Sequence, residues 1–147
     1  MADHTLQQQV RYLQDRLDLQ DLVHRYAESN DYATDPEELT RLFTDDAVLS
    51  GVFRQEVSGA RALRRYAEDI IAMRGSVPYR HHVSNILCTV DGDEASVTAF
   101  FFLVYRHGIY DGAVQLSRVY YGNFEFLARR VGEQWLISRR TVRLDPS

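Results

Sequence analysis

Apolar residues along this chain recur first at helical spacing and then at strand spacing, and the texture changes near Val77. Leu6, Val10, Leu13 and Leu17 stand four, three and four residues apart, which keeps them on one face of a helix. Leu19, Leu22, Val23, Tyr26 and Ala27 continue the stripe in another phase. That shift near Leu17 predicts a break or kink between two helical pieces. Asp35-Pro36-Glu37-Glu38 joins an N-cap carboxylate, a proline at the first helical position and acids in the first turn. A second helix starts there, with Leu39, Leu42 and Phe43 as its buried face. A short strand is expected from Ala47 to Ser50. Ser58-Gly59 opens a third helix carrying Leu63, Ala67, Ile70 and Ile71, which stops at Gly75.

From Val77 onward, four long β-rich segments are separated by Asp91-Gly92-Asp93, Tyr110-Asp111-Gly112 and Val131-Gly132-Glu133. Turns this tight between neighbouring strands make an antiparallel meander. The segments run to about ten residues or more, against a usual five or six, and strands of that length twist and curl. Helices first and strands later predict an α+β fold, with the sheet wrapped around the helices as a cone-shaped, half-open barrel. No internal repeat, low-complexity tract or linker divides the sequence, so residues 1–147 read as one domain, with residues 1–17 as an N-terminal helical extension. The segment from Val97 to Tyr105 is apolar at both parities. One of its faces can pack on the helices, but the other needs a cover. A second copy of the sheet is the simplest cover, so a homodimer through the outer sheet face is expected.

Composition narrows the function classes. With 147 residues, 45% hydrophobic and 26% charged, the chain can build one real core. A net charge of −4 supplies no basic field for nucleic acid or an anionic membrane. The longest apolar run, Ala99 to Tyr105, is far short of the roughly 20 residues of a membrane span. No signal-peptide pattern opens the sequence, and a cytoplasmic protein is the expectation. The single cysteine, Cys88, excludes an intrachain disulfide and a cysteine-rich metal site, and within Ile86-Leu87-Cys88 it reads as a small buried thiol. All seventeen basic residues are arginine, so Schiff-base chemistry through a lysine amine is excluded. No GxGxxG, P-loop, GxSxG, paired-carboxylate or HExxH pattern occurs, and neither a metal nor a cofactor is expected.

The stretch that carries chemistry is Tyr79-Arg80-His81-His82-Val83-Ser84-Asn85, which sets two imidazoles where a strand begins. Adjacent strand residues face opposite ways, so only one of His81 and His82 enters the interior and the two cannot share a metal. Far upstream, Asp31 lies at the C-terminal end of the amphipathic helix, where the helix dipole disfavours a carboxylate. It is either a turn former or the partner of a positive group. A histidine and a carboxylate brought together in a closed apolar pocket can move protons without a metal or cofactor. Tyr120, Tyr121 and Asn123 on the third long strand offer hydrogen bonds to a substrate carbonyl or enolate. Alternation sends the two tyrosines to opposite faces without saying which is inward. Tyr26 and Phe101 are further candidate substrate contacts. His24 reads as a helix-face histidine packed against the sheet, His107 as an exposed strand-end residue and His4 as part of a tail. Arg139, Arg140 and Arg143 read as surface or interface ion-pair partners.

Four segments, Asp21-Leu22-Val23-His24-Arg25-Tyr26-Ala27, Leu42-Phe43-Thr44-Asp45-Asp46-Ala47-Val48-Leu49, Arg80-His81-His82-Val83-Ser84-Asn85 and Trp135-Leu136-Ile137-Ser138-Arg139-Arg140-Thr141-Val142, occur in an order and spacing that resemble the SnoaL-like branch of the nuclear transport factor two-like superfamily. The resemblance spans roughly Leu19 to Leu144. It implies a pocket between the helices and a curved sheet, in a family of polyketide cyclases, scytalone dehydratase-like and dehydrochlorinase-like lyases, and isomerases. Non-catalytic ligand-binding proteins, and the similar β subunit of ring-hydroxylating dioxygenases, are the alternatives it implies. In the dehydratase and dehydrochlorinase members an Asp after the first helix and a His opening the first long strand form the catalytic pair, which maps onto Asp31 and His81. The dehydratase's second histidine would fall in Phe100-Phe101-Phe102, and Asn30 stands where it has a tyrosine. The expectation is a cofactor-independent lyase, cyclase or isomerase acting on a small molecule, with a polyketide-like or other polycyclic metabolite suggested. His81 would be the general base and Asp31 would orient it.

Overall fold

Thr5 and Gln8 close a capping box around the start of α1 (Leu6–Tyr32). This helix runs unbroken for 27 residues in the computed structural model, which describes residues 5–51, 55–110 and 113–145. The break expected near Leu17 is absent. At about 3.6 residues per turn, the stripes before and after Leu17 lie on roughly opposite sides of one helix. No glycine or proline interrupts the backbone ladder between them. The phase shift is a change of face, not an end. Only the second stripe is buried, while Leu6, Val10, Leu13 and Leu17 are exposed. Polar contacts hold this half of the helix instead. Asp15 is 4% exposed and accepts from Arg130 Nη2 at 2.9 Å and from Trp135 Nε1 at 3.2 Å. A buried carboxylate is thereby met by a cation and an indole N–H.

Asp35 caps α2 (Pro36–Thr40) and accepts from the Glu37 N–H, as its sequence predicts, but the helix is a single short turn. Phe43 therefore belongs to β1 (Phe43–Ser50) and not to the helix, and the strand begins earlier than the expected Ala47. A two-residue strand, β2 (Val57–Ser58), precedes α3 (Ala60–Ser76). The four long strands follow as β3 (Tyr79–Asp91), β4 (Glu94–Tyr110), β5 (Ala113–Val131) and β6 (Gln134–Leu144). Gly92 and Gly132 take the left-handed conformation, with φ of 61° and 62°, that two-residue hairpin turns require.

The sheet has the order β2-β1-β6-β5-β4-β3 and stays open, with β2 and β3 at its edges. Pairing is antiparallel throughout except for β1 against β6. The register of β3 against β4 shifts between Ser84 and Leu87, where Asn85 has φ 54°. Such bulges bend a strand, and the long sheet curls around the helices. Its inner face, led by Val97, Phe101, Phe124 and Ile137, meets Leu19, Val23 and Tyr26 of α1 in one core. Alternation leaves Phe100 and Phe102 on the outer face of β4, 54% and 46% exposed. No helix among the described residues is long and apolar enough to cross a membrane.

Candidate active site

Asp31 sits in the last turn of α1, where the free carbonyl ends repel a carboxylate. Three residues offset that. The Arg74 guanidinium from α3 donates from Nη1 to the Asn30 carbonyl at 2.8 Å and from Nη2 to the Ala33 carbonyl, bringing a cation to the helix end. The Tyr79 hydroxyl donates to the same Asn30 carbonyl at 3.2 Å. His81 then supplies Asp31 with two donors, its backbone N–H to Oδ2 at 2.8 Å and its Nδ1 to Oδ1 at 2.7 Å. The side chains of His81 and Asp31 are only 10% and 3% exposed. Of the two readings open for Asp31, the structure selects the partnered one.

A carboxylate can only accept, so Nδ1 carries the hydrogen and Nε2 is left as the basic nitrogen. The ring packs among Tyr79, Phe101 and Phe124, in the wall of a cavity of about 410 Å³. Most of this cavity's lining is apolar: Leu49, Ile70, Phe101, Leu103, Phe124 and Val142. Its polar side includes Tyr26, Tyr66, Tyr79 and Arg140 beside Asn30 and Gln55. Burial pushes the Tyr26 and Tyr79 phenols well above the usual range, so both are hydrogen-bond donors at any ordinary pH. A larger groove of about 690 Å³, lined by Asp18, Asp21, Arg25, Glu133 and Trp135, contains neither member of the pair. It is a mostly polar surface trough, lined by five acidic side chains and two arginines as well as by Leu22, Leu42 and Leu136. Behind the pair lies a shallower recess of about 260 Å³ that Asp31 and His81 share with His24, Glu28, Tyr32 and Arg80.

The sequence-derived candidates divide by strand parity. Tyr26 and Phe101 line the cavity with His81, and His82 faces out and is exposed, as alternation requires. Tyr120 points inward but stands behind the lining, edge-on to Tyr105. Tyr121 and Asn123 are not in the cavity. Tyr121 is 54% exposed and packs edge-on against Phe102 on the outer face, and Asn123 shares its parity. The reason is Gly122, which pairs with Phe101 in the ladder and turns inward beneath that ring, so both its neighbours must turn outward. His24 is exposed at the rear recess and not packed against the sheet. The side chain of His107, and His4, lie outside the described residues. Burial raises the Cys88 thiol, which suits a packing residue and not a nucleophile.

Arg140 is the important residue that sequence reasoning placed wrongly. Arg139 and Arg143 are exposed and pair with Glu56 and Glu125, as surface arginines should. Arg140 is 7% exposed and lines the cavity. Alternation from Trp135 and Ile137 puts Arg139 inward, but Leu127 and Ala128 of β5 pair with Arg139 and Ile137, leaving Ser138 as an extra residue. This bulge reverses the parity of everything after it. Counting backward from Val142 would have found Arg140. Tyr66 was legible too, since Leu63, Tyr66, Ala67 and Ile70 form one helical stripe. Among the described residues no group of three His, Cys, Asp or Glu is placed to hold a metal.

A SnoaL-like domain profile matches residues 11–141. No curated protein matches the chain. Among solved structures, it is similar to a nuclear transport factor two-like protein with a cystatin-like fold from Novosphingobium aromaticivorans, at 26% identity and TM-score 0.74, covering 100% of this chain and 94% of the other. A scytalone dehydratase-like protein from the same organism is 24% identical with TM-score 0.73, over 92% of this chain and 87% of that one. An aromatic ring hydroxylase-like protein, again from Novosphingobium aromaticivorans, is 25% identical with TM-score 0.74, over 92% of each chain.

Proposed function

The chain belongs to the SnoaL-like domain family, and from that premise and the geometry of its cavity we propose a cofactor-independent lyase, cyclase or isomerase in which His81 moves a proton and Asp31 holds it ready. The observation that carries this reading is the 2.7 Å contact of His81 Nδ1 with Asp31 Oδ1, with the two side chains only 10% and 3% exposed and His81 in the wall of a largely apolar cavity. Nε2 takes a proton from a carbon beside a carbonyl, or from a hydroxyl. Asp31 fixes the tautomer and stabilises the imidazolium that results. The oxygen on which charge develops is met by the protonated Tyr26 phenol or by Arg140, the Tyr79 hydrogen being committed to the Asn30 carbonyl. The imidazolium then returns its proton to another carbon in an isomerisation, or to a departing hydroxide in a dehydration. A flat cyclic substrate suits the ring-lined cavity. A positioned base of this kind contributes about 10²–10⁴-fold.

The test is deuterium exchange at the acidic C–H positions of a panel of cyclic ketones, 2-tetralone first, in D₂O and followed by NMR. The native chain is expected to accelerate exchange over buffer, and folded His81→Ala and Asp31→Asn proteins to lose about 10²–10⁴-fold of that acceleration. Equal acceleration by the native and His81→Ala proteins would refute the reading. A second reading, a non-catalytic subunit, draws on the similarity to an aromatic ring hydroxylase-like protein. It predicts no exchange with any ketone, and co-purification with a larger iron protein.

A further inference from the structure

Arg140 is a cation in a largely apolar cavity, with no anion beside it among the described residues. Its Nη1 donates to the Ser50 carbonyl at 3.3 Å and its Nη2 to the Tyr66 hydroxyl at 3.4 Å, both long contacts. Its Nε has no partner among the described residues, and the charged or titratable groups acting on it are the two tyrosines, Tyr26 and Tyr66, with no carboxylate among them. Tyr26 stays protonated, because burial holds its phenol well above the usual range. The guanidinium keeps its charge at any ordinary pH, and an unpaired buried charge is strongly unfavourable. Arg130 shows what this chain does with a structural arginine that is comparably buried: it is given two carboxylates, Asp15 and Asp93.

We infer that Arg140, with the Tyr66 hydroxyl, is an anion subsite, and that the ligand of this cavity carries a carboxylate. This rests on the reading of the cavity as a substrate site and adds the substrate's charge to it. A single guanidinium whose Nη groups make only long contacts matches one negative charge, and so a monoanion. A phosphate dianion would leave a second negative charge unmatched. Much of the rest of the cavity is rings and aliphatic carbon, including Phe101, Leu103 and Tyr105, with Asn30, Gln55 and His81 as further polar groups. Its volume of about 410 Å³, at about 30 Å³ for each water-sized unit, holds a dozen or so non-hydrogen atoms. The ligand is therefore a one- or two-ring carboxylic acid, anchored at β6 with its ring toward the His81 wall.

The experiment compares benzoate, cyclohexanecarboxylate and 2-naphthoate with their neutral carboxamides, by calorimetry and by thermal melting of the full chain. At least one acid is expected to bind, about tenfold or more tighter than its amide, as a charge-assisted hydrogen-bonded pair should. That preference is expected to vanish in Arg140→Gln and to weaken in Tyr66→Phe. Arg140→Met is expected to melt at or above the native temperature without ligand, because it removes an uncompensated charge; a fold-supporting arginine would lower it. No acid binding at millimolar concentration, equal binding of acid and amide, or acid selectivity surviving in a folded Arg140→Gln protein would overturn the inference. Binding is read without turnover, so the two readings can fail separately. Acid selectivity without ketone exchange would sink the catalytic reading alone, and ketone exchange without acid selectivity would sink this one alone.

Discussion

A Cβ placed on Gly122 would stand 2.3 Å from the Arg143 carbonyl oxygen and 2.9 Å from the Phe101 ring. The backbone oxygen cannot move away without disturbing the β5–β6 ladder, and the ring could only move into the cavity. Gly122→Ala is therefore expected to lose about 1–3 kcal/mol as an overpacked site, read as a lower urea midpoint at unchanged slope. An unchanged midpoint would mean that the strand pair yields freely there. This one residue also decides which tyrosine faces inward, and its parity was not recoverable from β5 alone, where Tyr120 and Tyr121 are equally good wall residues. Asp31 and His81 were legible because each has a local oddity: a carboxylate at the wrong end of a helix, and a histidine pair at the start of a strand. Arg140 was not, because its direction depends on a bulge at Ser138 that no local pattern announces.

Among the elements, α1 shows how a polar contact can do what a hydrophobic stripe does elsewhere. Its C-terminal half is seated by Leu19, Val23 and Tyr26, while its N-terminal half is tied to the β5–β6 hairpin by Asp15, Arg130 and Trp135. Asp15→Ala leaves the Trp135 N–H unpaired and Arg130 with only the exposed Asp93. It is expected to lose about 3 kcal/mol, the low end for breaking a buried pair, since one partner remains. Hydrogen exchange is expected to show faster opening before Leu19 with the C-terminal half still protected. Uniform protection along α1 in that variant would contradict this division. The starts of α2 at Asp35 and α3 at Gly59 were read correctly, while the Thr5–Gln8 capping box that opens α1 was not read. The boundary after α2 was not, because Leu42 and Phe43 satisfy a helix face and a buried strand equally well.

At the scale of the whole molecule, the outer sheet face carries an apolar patch. Phe100, Phe102, Val119, Tyr121 and Leu127 are all exposed there, and Leu6, Val10, Leu13 and Leu17 are exposed on α1. Scattered apolar residues on a surface need no explanation, but a contiguous aromatic patch does. We propose the homodimer through the outer sheet face that the apolar strand suggests. Sedimentation is expected to give twice the 17.0 kDa of one chain. Phe102→Asp combined with Tyr121→Asp is expected to give folded monomer, since neither side chain reaches the core. A native chain that stays at 17.0 kDa through micromolar concentrations would exclude it.

By itself, the order of apolar spacings determined the α+β architecture, the meander and the curl, because periods of about 3.6 and 2 are properties of short stretches of backbone. It also singled out Asp31 and His81. Only the tertiary structure decided that these two residues meet, that the phase shift in α1 is a change of face, and that Arg140 turns inward while Tyr121 and Asn123 turn out. Each of those depends on register between strands or on packing between distant segments, and a slip of one residue, invisible in composition or local pattern, sends a side chain to the opposite face.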